Sequence, residues 1–153
     1  MKALKLLSAI FFPLLVVACV TTKLQTPHLA IISASMVSAD VFSQKFNVRV
    51  HVQNPNARTL PIKKIEYKLF LEGDSFAEGQ SDAAFAVPAN GETEFDLAVN
   101  TNFVSSIGRL LSRLSGTDRR EIQYNFEGTV IVDLPFNPKI KFNEVGTVDL
   151  SRR

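Results

Sequence analysis

The stretch "KFNVRVHVQ" constrains this chain more than any other. Phe46, Val48, Val50 and Val52 alternate with Asn47, Arg49, His51 and Gln53. A strict period of two puts every apolar side chain on one face of a strand, where a helix would scatter them. It also requires one buried and one wet face, the mark of an antiparallel sheet. Asn54-Pro55-Asn56 follows at once. Pro55 cannot donate to a ladder, and the flanking asparagines supply turn hydrogen bonds, so the triplet is expected to be a structural turn. A second alternating run, "IKKIEYKLFLEG", then points Ile65, Tyr67, Leu69 and Leu71 inward.

Strand signals recur along the chain, moderate in the first segment below and weaker in the two short ones. "LAIISASMVSA" precedes the first run, and "SFAEGQS", "AAFAV" and "ETEFDLAV" come later. In the last of these, Thr93, Phe95, Leu97 and Val99 share a face. Pro88-Ala89-Asn90-Gly91 reads as a turn with glycine at the positive-φ position. "EIQYNFEGTVIVDLP" aligns Ile122, Tyr124, Phe126, Val130, Val132 and Leu134, with a bend or bulge expected at Gly128. "KIKFNEVGTVDL" shifts phase between Phe142 and Val145, which predicts a bulge near Asn143-Glu144. Between these strands, "TNFVSSIGRLLSRLSG" spaces Phe103, Val104, Ile107, Leu110, Leu111 and Leu114 as a helix does. Thr101 or Asn102 can cap it and Gly116 can end it. The expected fold is mainly β: an antiparallel sandwich of about seven strands with one helix inserted late.

The start of the chain is of another kind. "MKALKLLSAIFFPLLVVAC" has two lysines, then an apolar run from Leu6 to Ala18, then Cys19, the single cysteine. The run is too short to span a bilayer well and reads as a secretory signal. Val16-Val17-Ala18-Cys19 resembles the lipobox of bacterial lipoproteins, with Val16 in the usual leucine position. The resemblance implies a diacylglycerol on the Cys19 thiol, cleavage before it, and an acyl chain such as palmitate on the new amine. An ordinary buried cysteine is the alternative, but a lone cysteine in an exported chain has no internal disulfide partner. Two or three acyl chains would hold the protein on a membrane. Residue 20 is Val, not the Asp that retains lipoproteins at the inner membrane. The outer membrane, facing the periplasm, is therefore expected in a Gram-negative source, and the outer face of the cytoplasmic membrane in a Gram-positive one. The expected organisation is a signal peptide over 1–18, a lipidated cysteine and tether over 19–27, and one domain over 28–153.

Charge and chemistry exclude more than they suggest. The whole chain carries 17 Lys and Arg against 15 Asp and Glu, but Lys2 and Lys5 belong to the leader, leaving 15 against 15. A balanced domain gives no reason to expect nucleic acid. His28 and His51 are the only histidines, and the one cysteine is assigned to lipid, so no metal and no cofactor beyond that lipid is expected. Ser33, His51 and Asp74 supply the letters of a hydrolytic triad without a nucleophile elbow. Gly73 and Gly79 lack the lysine of a phosphate loop. Glu72, Asp74, Glu78 and Asp82 read as solvated turns rather than a calcium loop. Arg109, Arg113, Arg119 and Arg120 form a basic patch on the expected helix and its following loop. It reads either as a solvated face or as a contact for lipid phosphates or an acidic partner. Phe70 is out of phase with Leu69 and Leu71. It is expected beneath the helix, or else with Phe76 and Phe85 in an exposed patch that would bind a partner.

The ordered set of an alternating strand, Asn54-Pro55-Asn56, "LPI", "IEYKLFLEG", "FAEGQSDAAFAVPANGETEFDLAV" and "YNFEGTVIVDLP" resembles the WHy domain of type 2 late embryogenesis abundant proteins. The resemblance covers roughly Leu29 to Leu150. It implies a fibronectin type III-like (immunoglobulin-like) sandwich with a helix near one end, no established catalytic residues, and a role in desiccation or stress tolerance. The expected function is thus a non-enzymatic, lipid-anchored protective module acting as a monomer. The alternative is an envelope module that binds lipid or a protein partner in a groove between helix and sheet.

Overall fold

A computed structural model describes residues 23–40, 43–102 and 121–149. The described residues form eight strands: β1 (His28–Ala39), β2 (Ser43–Gln53), β3 (Leu60–Leu71), β4 (Asp74–Ser81), β5 (Phe85–Val87), β6 (Glu92–Asn102), β7 (Glu121–Val132) and β8 (Lys139–Asp149). The expected count was about seven. The helix expected between Asn102 and Leu114 lies outside the described residues.

The strands build two antiparallel sheets, one of order β1-β2-β6 and one of order β4-β3-β7-β8, with β5 pairing the start of β3. The alternation predicted for β2 holds: Val48, Val50 and Val52 are buried, and Arg49 faces water. Opposite them on β6, Leu97 is buried and Phe95 and Thr93 are half-buried, and Val99, opposite the half-buried Phe46, is buried as well. From the other sheet come Ile62, Ile65, Tyr67, Leu69, Ile122, Tyr124, Phe126, Val130 and Val132, and all join one core. The result is a β-sandwich closed along its β1/β8 and β4/β6 edges.

Two tyrosines bridge the sheets. Tyr67 Oη donates to the Ala98 carbonyl at 3.2 Å, and the Ile31 amide donates to Tyr124 Oη at 3.1 Å. Each tyrosine lies over a glycine on the neighbouring strand, Gly79 opposite Tyr67 and Gly146 opposite Tyr124. A Cβ at Gly146 would come within 2.6 Å of Tyr124 Oη, so only glycine leaves the ring room to reach across.

Several local expectations are corrected. β7 and β8 pair without a break from Glu121↔Asp149 to Ile131↔Lys139, so there is no bulge at Asn143-Glu144 and none at Gly128. In β8 the inward positions run Ile140, Phe142, Glu144, Gly146 and Val148, and Val145 simply faces solvent at 75% exposure. Gly128 sits in register because a Cβ there would collide with the Glu66 carbonyl oxygen and press on the Phe142 ring. Irregularities fall elsewhere, twice in β1 and near Ile62 and Leu69 in β3. In the Pro88–Gly91 turn the positive φ belongs to Asn90 (48°) rather than Gly91. Glu72 and Gly73 both take positive φ (50° and 84°), as a two-residue hairpin turn between β3 and β4 requires.

Candidate functional site

The chain crosses between sheets twice at one end of the sandwich. Asn54 to Thr59 links β2 to β3, and Pro88 to Gly91 links β5 back to β6. Asn54 and Asn56 are buried there, 1% and 6% exposed. The Asn54 amide nitrogen donates to the carbonyls of Arg58 (2.8 Å), Pro88 (2.8 Å) and, more weakly, Val87 (3.3 Å). Its Oδ1 accepts from the Asn56 backbone amide and side-chain Nδ2, each at 2.9 Å. The Asn54 backbone amide donates to the Gly91 carbonyl, and the Asn90 amide to the Asn56 carbonyl. An asparagine carries both donors and acceptors on one short arm, and both crossovers use them. Pro55 spans the two and is half-buried.

This network also holds the incoming chain. The Gln25 amide donates to Asn56 Oδ1 at 2.8 Å, and Asn56 Nδ2 donates to the Gln25 carbonyl at 2.9 Å. Pro27 is buried and Leu24 packs against the core. The stretch from Leu24 to Pro27, read from sequence as tether, is therefore held on the domain.

Beside it lies an open groove whose walls include Lys23, Leu24, Arg58, Phe136, Lys139 and Lys141. The β7–β8 hairpin forms one wall. Its loop is held by bonds from Val132 to Pro138, Leu134 to Val132, and Asn137 to Leu134. Phe136 stands at its tip, fully exposed, with φ at 72°. A phenylalanine with positive φ is uncommon and strained. The four cations of the groove are exposed, and Asp133 is the acidic residue in the hairpin loop.

The other predicted residues are dispersed. Cys19 and the four arginines Arg109, Arg113, Arg119 and Arg120 lie outside the described residues. Phe70 is half-buried, opposite Ser75 and Asn125, at a register irregularity in the β3–β4 pairing. It does not join Phe76 and Phe85 in a patch. Phe76 meets Phe46 edge-on at 5.4 Å, and Phe85 stacks on Phe95 at 4.5 Å, so both serve contacts between the sheets.

His51 pairs with Glu92 at 3.4 Å near the crossovers, and His28 pairs with Glu144 at 3.3 Å. Ser33 and Asp74 lie on other strands, Asp74 at the far end of the sandwich, so no triad assembles. Among the described residues, no group of three or more His, Cys, Asp or Glu is placed to hold a metal ion.

Among the described residues, three groups have shifted ionisations. A two-pronged hydrogen bond from Arg49 holds the Asp96 carboxyl below its usual range, and the same pair raises the Arg49 pKa. Burial raises the Tyr67 phenol. None of the three has the form of a catalytic group poised near neutrality.

Sequence reasoning found the asparagines but not the groove. Lys23, Arg58 and the Lys139/Lys141 pair come from three separate places in the chain. The one local signal was "LPFNP", in which an aromatic residue sits between prolines where no strand can carry it inward.

A family model described as "Late embryogenesis abundant protein" matches residues 49–146. Among solved structures, the chain is similar to AT1g01470 from Arabidopsis thaliana, with 22% identity and a TM-score of 0.64 over 88% of this chain and 89% of that one. It is also similar to At2g46140.1, described as a late embryogenesis abundant (LEA) protein, with 22% identity and a TM-score of 0.51 over 82% of this chain and 71% of that one. No curated protein sequence matches significantly. At such identities the structural likeness speaks to the fold, and the family model, which spans most of the chain, shows that this protein belongs to the type 2 late embryogenesis abundant (LEA_2) family.

Proposed function

We propose that this protein is a lipid-anchored cell-envelope member of the family whose domain acts without catalysis, protecting neighbouring molecules during desiccation or related stress. The observation that carries this reading is the family match over residues 49–146, joined to a domain that is folded around a closed core. The two antiparallel sheets, which we read as a fibronectin type III-like sandwich, have a mixed-charge exterior, on which Lys64 lies 3.7 Å from Glu66 and 3.9 Å from Asp82. Such a surface binds water and polar groups strongly without favouring one partner. Held on a membrane through acylated Cys19, on the periplasmic side of the outer membrane in a Gram-negative cell, it would keep drying proteins and lipid headgroups apart.

The test is a drying and freeze–thaw assay with a labile client enzyme. The protein is expected to preserve more client activity than an equal mass of an inert folded protein. Equal preservation by the two would end this reading. The anchor is tested separately, by mass spectrometry of the N-terminal peptide from cells: acyl chains on Cys19 are expected, and an unmodified cysteine would refute them.

A further inference from the structure

We infer that the crossover end of the sandwich is a membrane-docking face, with Phe136 inserting among lipid chains and Lys23, Arg58, Lys139 and Lys141 contacting anionic phospholipid headgroups. The inference rests on the anchored reading above and adds an orientation to it. Its first support is the path of the chain. Gln25 is pinned to Asn56, so the entry point of the domain is fixed at this end. Lys23 lines the groove and is four residues from Cys19. Four extended residues reach at most about 14 Å. A lipid on Cys19 would therefore bring this end, and no other, to the bilayer surface.

The second support is chemical. Four exposed cations share one groove with an exposed aromatic, and basic residues near a membrane surface are drawn to anionic headgroups. Asp133 opposes them in the hairpin loop, while Glu92 and Glu144, which face His51 and His28, do not line the groove. The domain's overall charge balance hides this asymmetry, because the cations gather only in the fold.

The third support is the loop itself. Three backbone bonds hold its tip, and the strained φ of Phe136 turns the ring outward, where it is fully exposed. An aromatic side chain held out on a rigid tip beside cations suits the interfacial region of a bilayer. A protein partner would be met by the same ring and is distinguished by the test.

The chain contains no tryptophan, so one can be introduced as a probe. The full-length variants Phe136→Trp and Val37→Trp would be mixed with vesicles of phosphatidylcholine containing one third phosphatidylglycerol, with bromine on the lipid chains. Val37 is exposed near the opposite end of the sandwich. The indole introduced by Phe136→Trp is expected to shift blue and be quenched, while that of Val37→Trp stays in water. In unacylated protein, replacing Lys23, Arg58, Lys139 and Lys141 by glutamine is expected to weaken vesicle binding on the order of a hundredfold, with far-UV circular dichroism unchanged.

Equal quenching at both positions, or none at Phe136→Trp, would overturn the docking face. So would binding of unacylated protein that ignores the four substitutions. The acyl state of Cys19 is read on the same preparations. Acylated protein whose Phe136→Trp indole stays in water refutes the docking face and leaves the anchor. Selective quenching in unacylated protein does the reverse.

Discussion

Asn54 stands where both sheet crossovers meet, and its side chain makes five of the hydrogen bonds described there. A buried polar group left without its partner costs about 1–3 kcal/mol. Asn54→Ala strands several at once, so it is expected to lower stability by about 3–4 kcal/mol in urea titration. Asn56→Ala loses less, about 2 kcal/mol, but frees Gln25. It should therefore speed proteolysis between Lys23 and Pro27 more than its stability loss alone would. Sequence identified these asparagines as turn residues, because asparagine beside proline is local chemistry. The grip of Asn56 on Gln25, 31 residues away, was not legible, since no local pattern encodes a partner at that distance. The groove was hidden for the same reason.

Arg49 and Asp96 pair across β2 and β6 on the wet face. Asp96 has a lower pKa in the folded chain than its ordinary 3.8. Its contribution to stability is therefore present above pH 3.8 and is lost as pH falls through the lower folded value. Both side chains are half-exposed, so the contribution is small and screened by salt. The stability gap between the native protein and Asp96→Asn should close in acid and narrow at high salt, as measured by urea titration at neutral and acidic pH. A gap that widened in acid would show that the pair is not its source.

At the scale of elements, period two located β2, β3, β6 and β7, because a residue's face is set by parity alone. Parity is silent about what an inward position must hold. Glu144 and Gly146 occupy inward sites in β8, so the sequence seemed to change phase where the ladder does not. The opposite failure occurs in β1, whose irregularities near Ile31 and Met36 leave no trace among its small residues. Gly128 separates these cases. Its place on the apolar face of β7 is required by packing, since a Cβ there meets backbone as well as the Phe142 ring. Overfilling a core costs about 1–3 kcal/mol, and a backbone collision falls at the upper end. Gly128→Ala is expected to cost about 3 kcal/mol. Gly73→Ala, with open space around it but a φ of 84°, should cost about 1–2 kcal/mol, for conformation alone. Equal losses in thermal or urea unfolding would contradict this account of Gly128.

For the molecule as a whole, the question is whether two sheets of three and five strands unfold as one body. They share one core, and each sheet-to-sheet edge carries its own tyrosine bridge, Tyr67 to β6 and Tyr124 to β1. Anchoring through the N-terminus would place any pulling force on the chain just before β1, which is an edge strand. An edge strand held only by its own ladder could peel from the sandwich before the rest. The Tyr124 bridge and the contacts of β1 with β8 oppose this by coupling β1 to the second sheet. Because the chain has two tyrosines and no tryptophan, Tyr67→Phe and Tyr124→Phe each leave a single emitter, one at each edge. Each substitution removes one hydrogen bond and should cost about 1 kcal/mol. Within each variant, the urea transition seen by tyrosine emission should coincide with that seen by far-UV circular dichroism. If emission from Tyr124 in Tyr67→Phe changed at distinctly lower urea than the dichroism, the β1 edge would be opening first. The sandwich would then be two coupled units, with the weaker one at its N-terminal edge strand.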